Sequence, residues 1–104
     1  MGGSGGGWTP TVPSSPCERI NFRANINSPQ PAVLGPLGLG TELDVKLQTI
    51  PTISVVMEYS GAIAGSLTGT EVSKLINCIQ NGFEYSATIV TIDKGNYTVQ
   101  VTPK

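Results

Sequence analysis

The chain has 104 residues, only 12% of them charged, and its six basic and seven acidic side chains leave a formal net charge of −1. This length supports one domain and excludes two separate hydrophobic cores. The near-neutral charge argues against tight, sequence-independent binding of nucleic acid, and the absence of histidine excludes the usual four-ligand zinc sites.

The N-terminal segment differs in composition from the rest of the chain. Residues 1–16 are rich in glycine and proline, and glycine loses more backbone freedom on ordering than any other residue. We therefore predict a flexible tail over 1–16 and a single globular domain over 17–104. Trp8 is a candidate docking anchor for a partner, and the alternative is that it covers an apolar patch on its own domain or has no such role.

Alternation of apolar and polar residues predicts three strands in the first part of the chain, and a tight turn at Ser60 and Gly61 predicts a short return strand after them. The expected strands cover residues 18–27, 42–48, 52–59 and 62–67. Between the first two strands, a glycine-rich loop carries three leucines that we expect to plug one end of the core. The fourth strand contains Ala and Gly, which suggests close backbone packing.

A single amphipathic helix is predicted after the fourth strand. Four apolar residues recur at helical spacing, which indicates one buried stripe. Thr68 and Glu71 have the spacing of a capping box, and a helix that begins with Thr70 as its cap is the alternative. Asn81 and Gly82 supply a stop signal. The apolar stripe consists of Val72, Leu75, Ile76 and Ile79.

Two further strands, over residues 85–92 and 96–102, complete the predicted fold. The residues between them form a hairpin turn with a glycine in the left-handed conformation. The fold class is therefore mainly β, a β-rich α+β arrangement. We expect a small SH3-like or OB-like barrel of about six short strands, closed or half-open, with one helix between strands 4 and 5.

No targeting or membrane signal is visible in the sequence. The longest apolar run falls far short of the roughly 20 residues that a membrane span requires, and no charged segment precedes an apolar one as in a signal peptide. The expected location is cytoplasmic. A disulfide between Cys17 and Cys78 is one alternative if the protein is exported, but without an export signal free thiols are favoured.

Catalytic chemistry is not expected. A Ser or Cys nucleophile lacks its commonest base because the chain has no histidine, and the acidic residues are scattered. The glycines of residues 35–40 lack the lysine of a phosphate-binding loop. We predict a non-enzymatic protein without cofactor or metal.

Three basic residues form one candidate contact surface for a partner or for nucleic acid. Arg19 and Arg23 share the outward face of the first predicted strand, about 13 Å apart at strand rise, and Lys46 faces outward on the second. Small barrels bind single-stranded nucleic acid on such faces, usually with aromatic residues for base stacking. The favoured alternative is cross-strand pairing of both arginines with Glu42 and Asp44.

The first strand is also a candidate sheet edge. Asn21, Asn25 and Asn27 line it with little charge to deter pairing. An edge of this kind can accept a strand from a partner or from a second copy. The alternative is that these polar side chains simply solvate an exposed strand.

From about residue 39 onward the order of features resembles a HIRAN domain, a small barrel module found beside DNA-processing enzymes and alone in bacteria. The resemblance implies a barrel with one helix and weak binding of nucleic acid. The family's Asn/Asp-rich loop, which helps to grip the end of a DNA strand, is replaced here by residues 48–52 (QTIPT). The matching stretches are 39–43 (LGTEL), 55–61, 64–67 (AGSL), 71–82, 87–89 and 99–103 (VQVTP).

These observations favour a non-catalytic binding or adaptor module, of bacterial origin, that acts through protein–protein contacts or self-association. The alternative is a weak single-stranded nucleic-acid-binding module of the HIRAN-like kind. A membrane partner is not expected.

Overall fold

The structure, a computed structural model, describes residues 16–104. It is mainly β, with six antiparallel strands and one longer helix between strands 4 and 5, which confirms the predicted fold class. The strands are β1 (Phe22–Asn25), β2 (Glu42–Gln48), β3 (Ser54–Tyr59), β4 (Ala62–Leu67), β5 (Tyr85–Asp93) and β6 (Asn96–Pro103). A 3-10 helix covers Pro16–Arg19, and the α-helices are α1 (Pro31–Leu34) and α2 (Glu71–Gln80).

The sheet curls into a half-open barrel. Its strand order is β1-β6-β5-β2-β3-β4, so β1 and β4 are the two edge strands. These edges meet at Asn27 and Ser66, where each backbone N–H donates to the other residue's carbonyl at 2.8 and 2.9 Å. Three residues after Asn27, the N–H of Gln30 donates to the carbonyl of Ala64 at 2.9 Å. The barrel is therefore closed along the part of the seam that runs from Asn27 to Gln30.

Gly65 is what allows the edges to approach so closely. A Cβ at this position would lie 2.2 Å from Cγ2 of Ile26 and 2.9 Å from the carbonyl oxygen of Asn27. Real Cβ atoms do not tolerate such contacts, so any side chain would push the edges apart. The close packing predicted for this strand is confirmed.

The barrel encloses one apolar core. Tyr85, Leu43 and Met57 are among its largest fully buried side chains. The helix α2 covers this core with Leu75 and Cys78, while Val72, Ile76 and Ile79 pack at the margin, so the predicted stripe is confirmed. The buried core residues are Ile20, Ile26, Leu34, Leu43, Val45, Val55, Met57, Ala64, Leu67, Leu75, Cys78, Tyr85, Ala87, Ile89, Val99 and Val101.

Helix α2 begins as in the second of the two predicted alternatives, with Thr70 before its first residue. Thr70 is the cap residue, and its side chain makes no capping hydrogen bond. Thr68 has a different role, because its Oγ1 accepts a hydrogen bond from Nδ2 of Asn27 at 2.6 Å. Gly82 adopts a φ of +96° just after the helix, the left-handed conformation expected of a stop signal.

Two local expectations are wrong. The predicted strand over residues 18–27 is shorter, because its first part is held as a 3-10 helix by bonds to α2 and to β5. The predicted loop after it begins with the short helix α1, favoured by proline at its first position. Leu34 is fully buried and Leu37 packs against the core, as expected of a plug, but Leu39 is exposed.

Cys17 and Cys78 form a disulfide, so the expectation of free thiols is wrong. The bond joins the 3-10 helix to α2 across 61 residues of sequence, with a Cα–Cα distance of 5.5 Å. In the chain-entropy description, closing a loop of this length stabilises the fold by about 4 kcal/mol. The sequence could not decide the pairing, because the spacing of two cysteines carries no information about their separation in space.

Candidate functional site: an open groove beside strand β1

The structure does not bring the three candidate basic residues into one stripe. Arg23 lies opposite Gln100 of β6, which lies opposite Thr88 of β5, which lies opposite Glu42 of β2. Lys46 is four residues further along β2. Lys46 is therefore separated from Arg23 by three strand spacings, about 14 Å across the sheet, and by about 13 Å along the strand direction.

Arg19 lies in the 3-10 helix and not on a strand, so it does not share a strand face with Arg23. The 3-10 helix over Pro16–Arg19 accounts for this difference. An alternating pattern predicts a strand equally well whether the backbone is extended throughout or only from residue 22 onward.

The favoured pairing of the arginines with Glu42 and Asp44 through adjacent strands is wrong, since β6 and β5 lie between β1 and β2. Nε of Arg23 instead donates to Oε1 of Gln100 at 2.8 Å. Nζ of Lys104 donates to Oδ1 of Asp44 at 2.7 Å. This hydrogen bond and the Lys104 charge lower the pKa of the Asp44 carboxyl below its ordinary value.

Strand β1 is an edge strand, as the asparagine-lined pattern suggests. The N–H of Ile26 donates to the carbonyl of Tyr97 in β6 at 2.8 Å. Hydrogen-bonded pairs alternate along an antiparallel ladder, so Ala24 and Phe22 also bond to β6. The backbone N–H and C=O groups of Arg23 and Asn25 therefore point the other way, to the open side.

Within residues 16–104, no group bonds to the outward backbone of Arg23 or Asn25. The same outward direction at Asn27 is satisfied by Ser66 of β4. Strand β4 ends at Leu67, and the chain then departs into α2. The seam is thus closed at Asn27 and open beside Arg23 and Asn25.

The open part of the seam is a groove, which we call the β1 groove, between β1 and the first turn of α2. Two adjoining hollows form it, and they share Phe22 and Glu71. Phe22 and Ala24 are half-buried and provide an apolar floor. Its polar walls carry Arg19, Arg23, Asn25, Thr68, Thr70, Glu71 and Lys74.

Several bonds fix the walls of the β1 groove in place. The Cys17–Cys78 disulfide ties the 3-10 helix to α2. The hydroxyl of Tyr85 donates to the carbonyl of Cys17 at 2.6 Å. Burial raises the pKa of this hydroxyl, and the negative charge of Glu18 raises it further. The bond from Asn27 to Thr68 holds the other end. A preformed groove of this kind can take a ligand with little rearrangement.

Two further outcomes concern other kinds of site. In the part of the chain that the structure describes, no three His, Cys, Asp or Glu side chains come together as metal ligands would. Among the same residues, no helix combines the length and apolar character of a membrane span.

The sequence predicted one wall of the groove and missed the other. Arg23 and the edge asparagines were visible as a strand pattern, whereas Glu71 was predicted only as part of a helix cap and Lys74 was not predicted as a contact residue. Gly65 was a sequence signal for the neighbouring part of the seam, because a residue without a side chain indicates a close approach of another backbone. Trp8, the candidate docking anchor, lies outside the described residues.

Comparison with known proteins found no matching family model, no matching curated protein and no matching solved structure. The resemblance to HIRAN domains therefore stays a prediction.

Proposed function

We propose that this chain is a non-catalytic binding module that acts through protein–protein contacts, by accepting an extended segment of a partner as an additional strand beside β1. Strand addition of this kind takes its affinity from main-chain hydrogen bonds and its specificity from pockets for alternate side chains. The β1 groove offers both features within one surface.

The observation that carries the proposal is the difference in hydrogen bonding along β1. The backbone of Arg23 and Asn25 faces the open side with no partner among residues 16–104, while Asn27, two residues on, is already bonded to β4. An unpaired edge is a template for another strand. The apolar floor of Phe22 and Ala24 adds a surface that an incoming side chain can cover.

Binding of single-stranded nucleic acid is the second candidate. Arg23 favours it, because its cationic side chain is exposed on the outer face of β1. The neighbours of Arg23 on that face, however, are Gln100, Asn25 and Thr98, none of which can stack on a base. Its separation from Lys46 also removes the stripe that would follow a phosphate backbone.

The disulfide bears on where such a module would work. Structural disulfides persist in oxidising compartments and are rare in the cytosol. The cytoplasmic location stays a prediction, and the Cys17–Cys78 bond weighs against it. Alkylation of both thiols in freshly lysed cells would favour the cytoplasm, and protection of both would favour an oxidising compartment.

Proline at residue 25 tests the role of the edge directly. Random linear peptides displayed on phage are selected on the immobilised chain, and the selected peptides are then measured against Asn25→Pro and Asn25→Ala. Both variants lose the side chain that accepts from Thr98, but only proline also loses the outward N–H. We expect Asn25→Ala to retain binding and Asn25→Pro to lose it.

Selected peptides that bind both variants equally would contradict strand addition at β1. A labelled single-stranded oligonucleotide, followed by fluorescence anisotropy at low and moderate salt, separates the second candidate. A salt-sensitive signal that Arg23→Ala abolishes would favour the nucleic-acid function over the protein-contact function.

A further inference from the structure

The chemistry of the partner can be narrowed from the side chains that an added strand would meet. In an antiparallel pair, residues directly opposite each other point to the same face of the sheet. A partner residue bonded to the outward backbone of Arg23 would therefore place its side chain beside the Arg23 guanidinium, on the exposed face of β1.

The two partner residues that flank this position point to the opposite face, because side chains alternate along a strand. That face is the groove floor, where Phe22 and Ala24 are half-buried. An apolar side chain placed there removes apolar surface from water, which stabilises the complex. A charged side chain in the same place would lose hydration against an apolar floor.

The charges around the β1 groove favour an anion at the outward position. Its lining residues include the cations Arg19, Arg23 and Lys74 and a single carboxylate, Glu71. Among residues 16–104, no carboxylate forms an ion pair with Arg23. The hydrogen bond from Arg23 to Gln100 uses one of the five N–H donors of the guanidinium, so four remain for a ligand.

We propose that the β1 groove recognises an extended acidic segment, in which one Asp or Glu stands opposite Arg23 and an apolar residue stands on each side of it. This inference rests on the proposed function, since it assigns the chemistry of the strand that β1 accepts. It commits to a partner of alternating apolar and acidic pattern in place of a helix, a nucleic acid or a second copy.

Reversal of one charge tests the assignment. The phage-displayed random linear peptides are selected in parallel on the unmodified chain, on Arg23→Glu and on the control Lys46→Glu, which makes the same charge change on β2 outside the groove. We expect the unmodified chain and the control to select apolar–acidic–apolar peptides. Arg23→Glu should select Lys or Arg at the same central position.

Binding constants of one selected peptide and its Lys-substituted form make the result quantitative. Cross-strand charge pairs contribute modest energies, so we expect the preference for the acidic form to be about three- to tenfold and to reverse in Arg23→Glu. Peptides that depend on the edge, as shown by Asn25→Pro, but have no preference for an acidic residue would overturn this inference and leave the proposed function standing. Peptides indifferent to Asn25→Pro would overturn both, as would selection that yields no peptide.

Discussion

The seam between β1 and β4 has a closed half and an open half, which differ in whether the outward backbone groups are hydrogen-bonded. At Asn27 the outward N–H and C=O are bonded to Ser66, and Gln30 continues the contact to Ala64. At Arg23 and Asn25 the equivalent groups meet no described partner, since β4 has already ended. A barrel of this size is thus closed where one glycine allows it and is left open where the neighbouring strand turns into a helix.

The difference separates what stabilises the fold from what is available for binding. The closed half buries Ile26 and Gly65 against each other, and buried backbone groups are almost always paired. The open half exposes its backbone, so it depends on the disulfide and the Tyr85 hydroxyl to hold its walls. Changes in the two halves should therefore have distinct effects.

Removal of the disulfide should have the largest effect and should act on the open half. The double variant Cys17→Ser and Cys78→Ser releases the 3-10 helix from α2, and we expect unfolding by urea to show a loss of about 4 kcal/mol. Hydrogen exchange should accelerate in residues 16–22 more than at Ser66. An unchanged free energy of unfolding would mean that other contacts hold the two walls together.

A side chain at Gly65 should break the closed half. In Gly65→Ala the new Cβ would meet Ile26 and the backbone of Asn27, so we expect a loss of about 3 kcal/mol from overpacking. Amide protection at Ser66 and Asn27 should fall with it. The matched control is Gly38→Ala, because a Cβ there meets nothing within 4 Å.

If Gly65→Ala were as stable as the control, the edges would not be in the close contact described. The control itself should change stability by less than about 1 kcal/mol, since its effect arises mainly in the unfolded chain.

The same comparison explains how much could be predicted from the sequence. Strand β2, strand β6 and helix α2 follow from local periodicity, because each buries one face against the common core. Strands β3, β4 and β5 bury consecutive residues, and their positions follow from short apolar segments bounded by turn residues. The hairpin turns also follow from local chemistry: Lys94 and Gly95 both have positive φ, as do Ser60 and Gly61.

The order of strands could not be predicted, because it depends on contacts between distant segments. Pairing Arg23 with Glu42 assumed that β1 lies beside β2, whereas β6, from the end of the chain, lies beside β1. The groove depends on the same long-range order, and for that reason Glu71 and Lys74 were missed as its wall. Cys17 was likewise expected to be a free thiol, since nothing local places it against α2.

Proline substitutions should show that neighbouring residues of β1 face opposite sides. Ala24→Pro removes an N–H that bonds to β6 and leaves the carbonyl of Val99 without its donor, so we expect a loss of about 2 kcal/mol. Asn25→Pro removes an outward N–H and should cost less than about 1 kcal/mol relative to Asn25→Ala. Equal losses in thermal or urea unfolding would contradict the assigned alternation.

The ion pair of Asp44 with Lys104 lies on the outer face away from both halves of the seam, and it should have the smallest effect. The Lys104 ammonium lowers the pKa of the Asp44 carboxyl in the folded state, so this contribution is present above the ordinary carboxyl pKa near 3.8 and is lost as pH falls through the lower, folded value. Both side chains are more than two-fifths exposed, 41% and 49%, and exposed pairs contribute less than about 1 kcal/mol. The thermal midpoint of Asp44→Asn should therefore be slightly below that of the unmodified chain near neutral pH, and the two should converge at acid pH and in high salt. A gap that widened on acidification would mean that the folded state does not favour the ionised carboxylate.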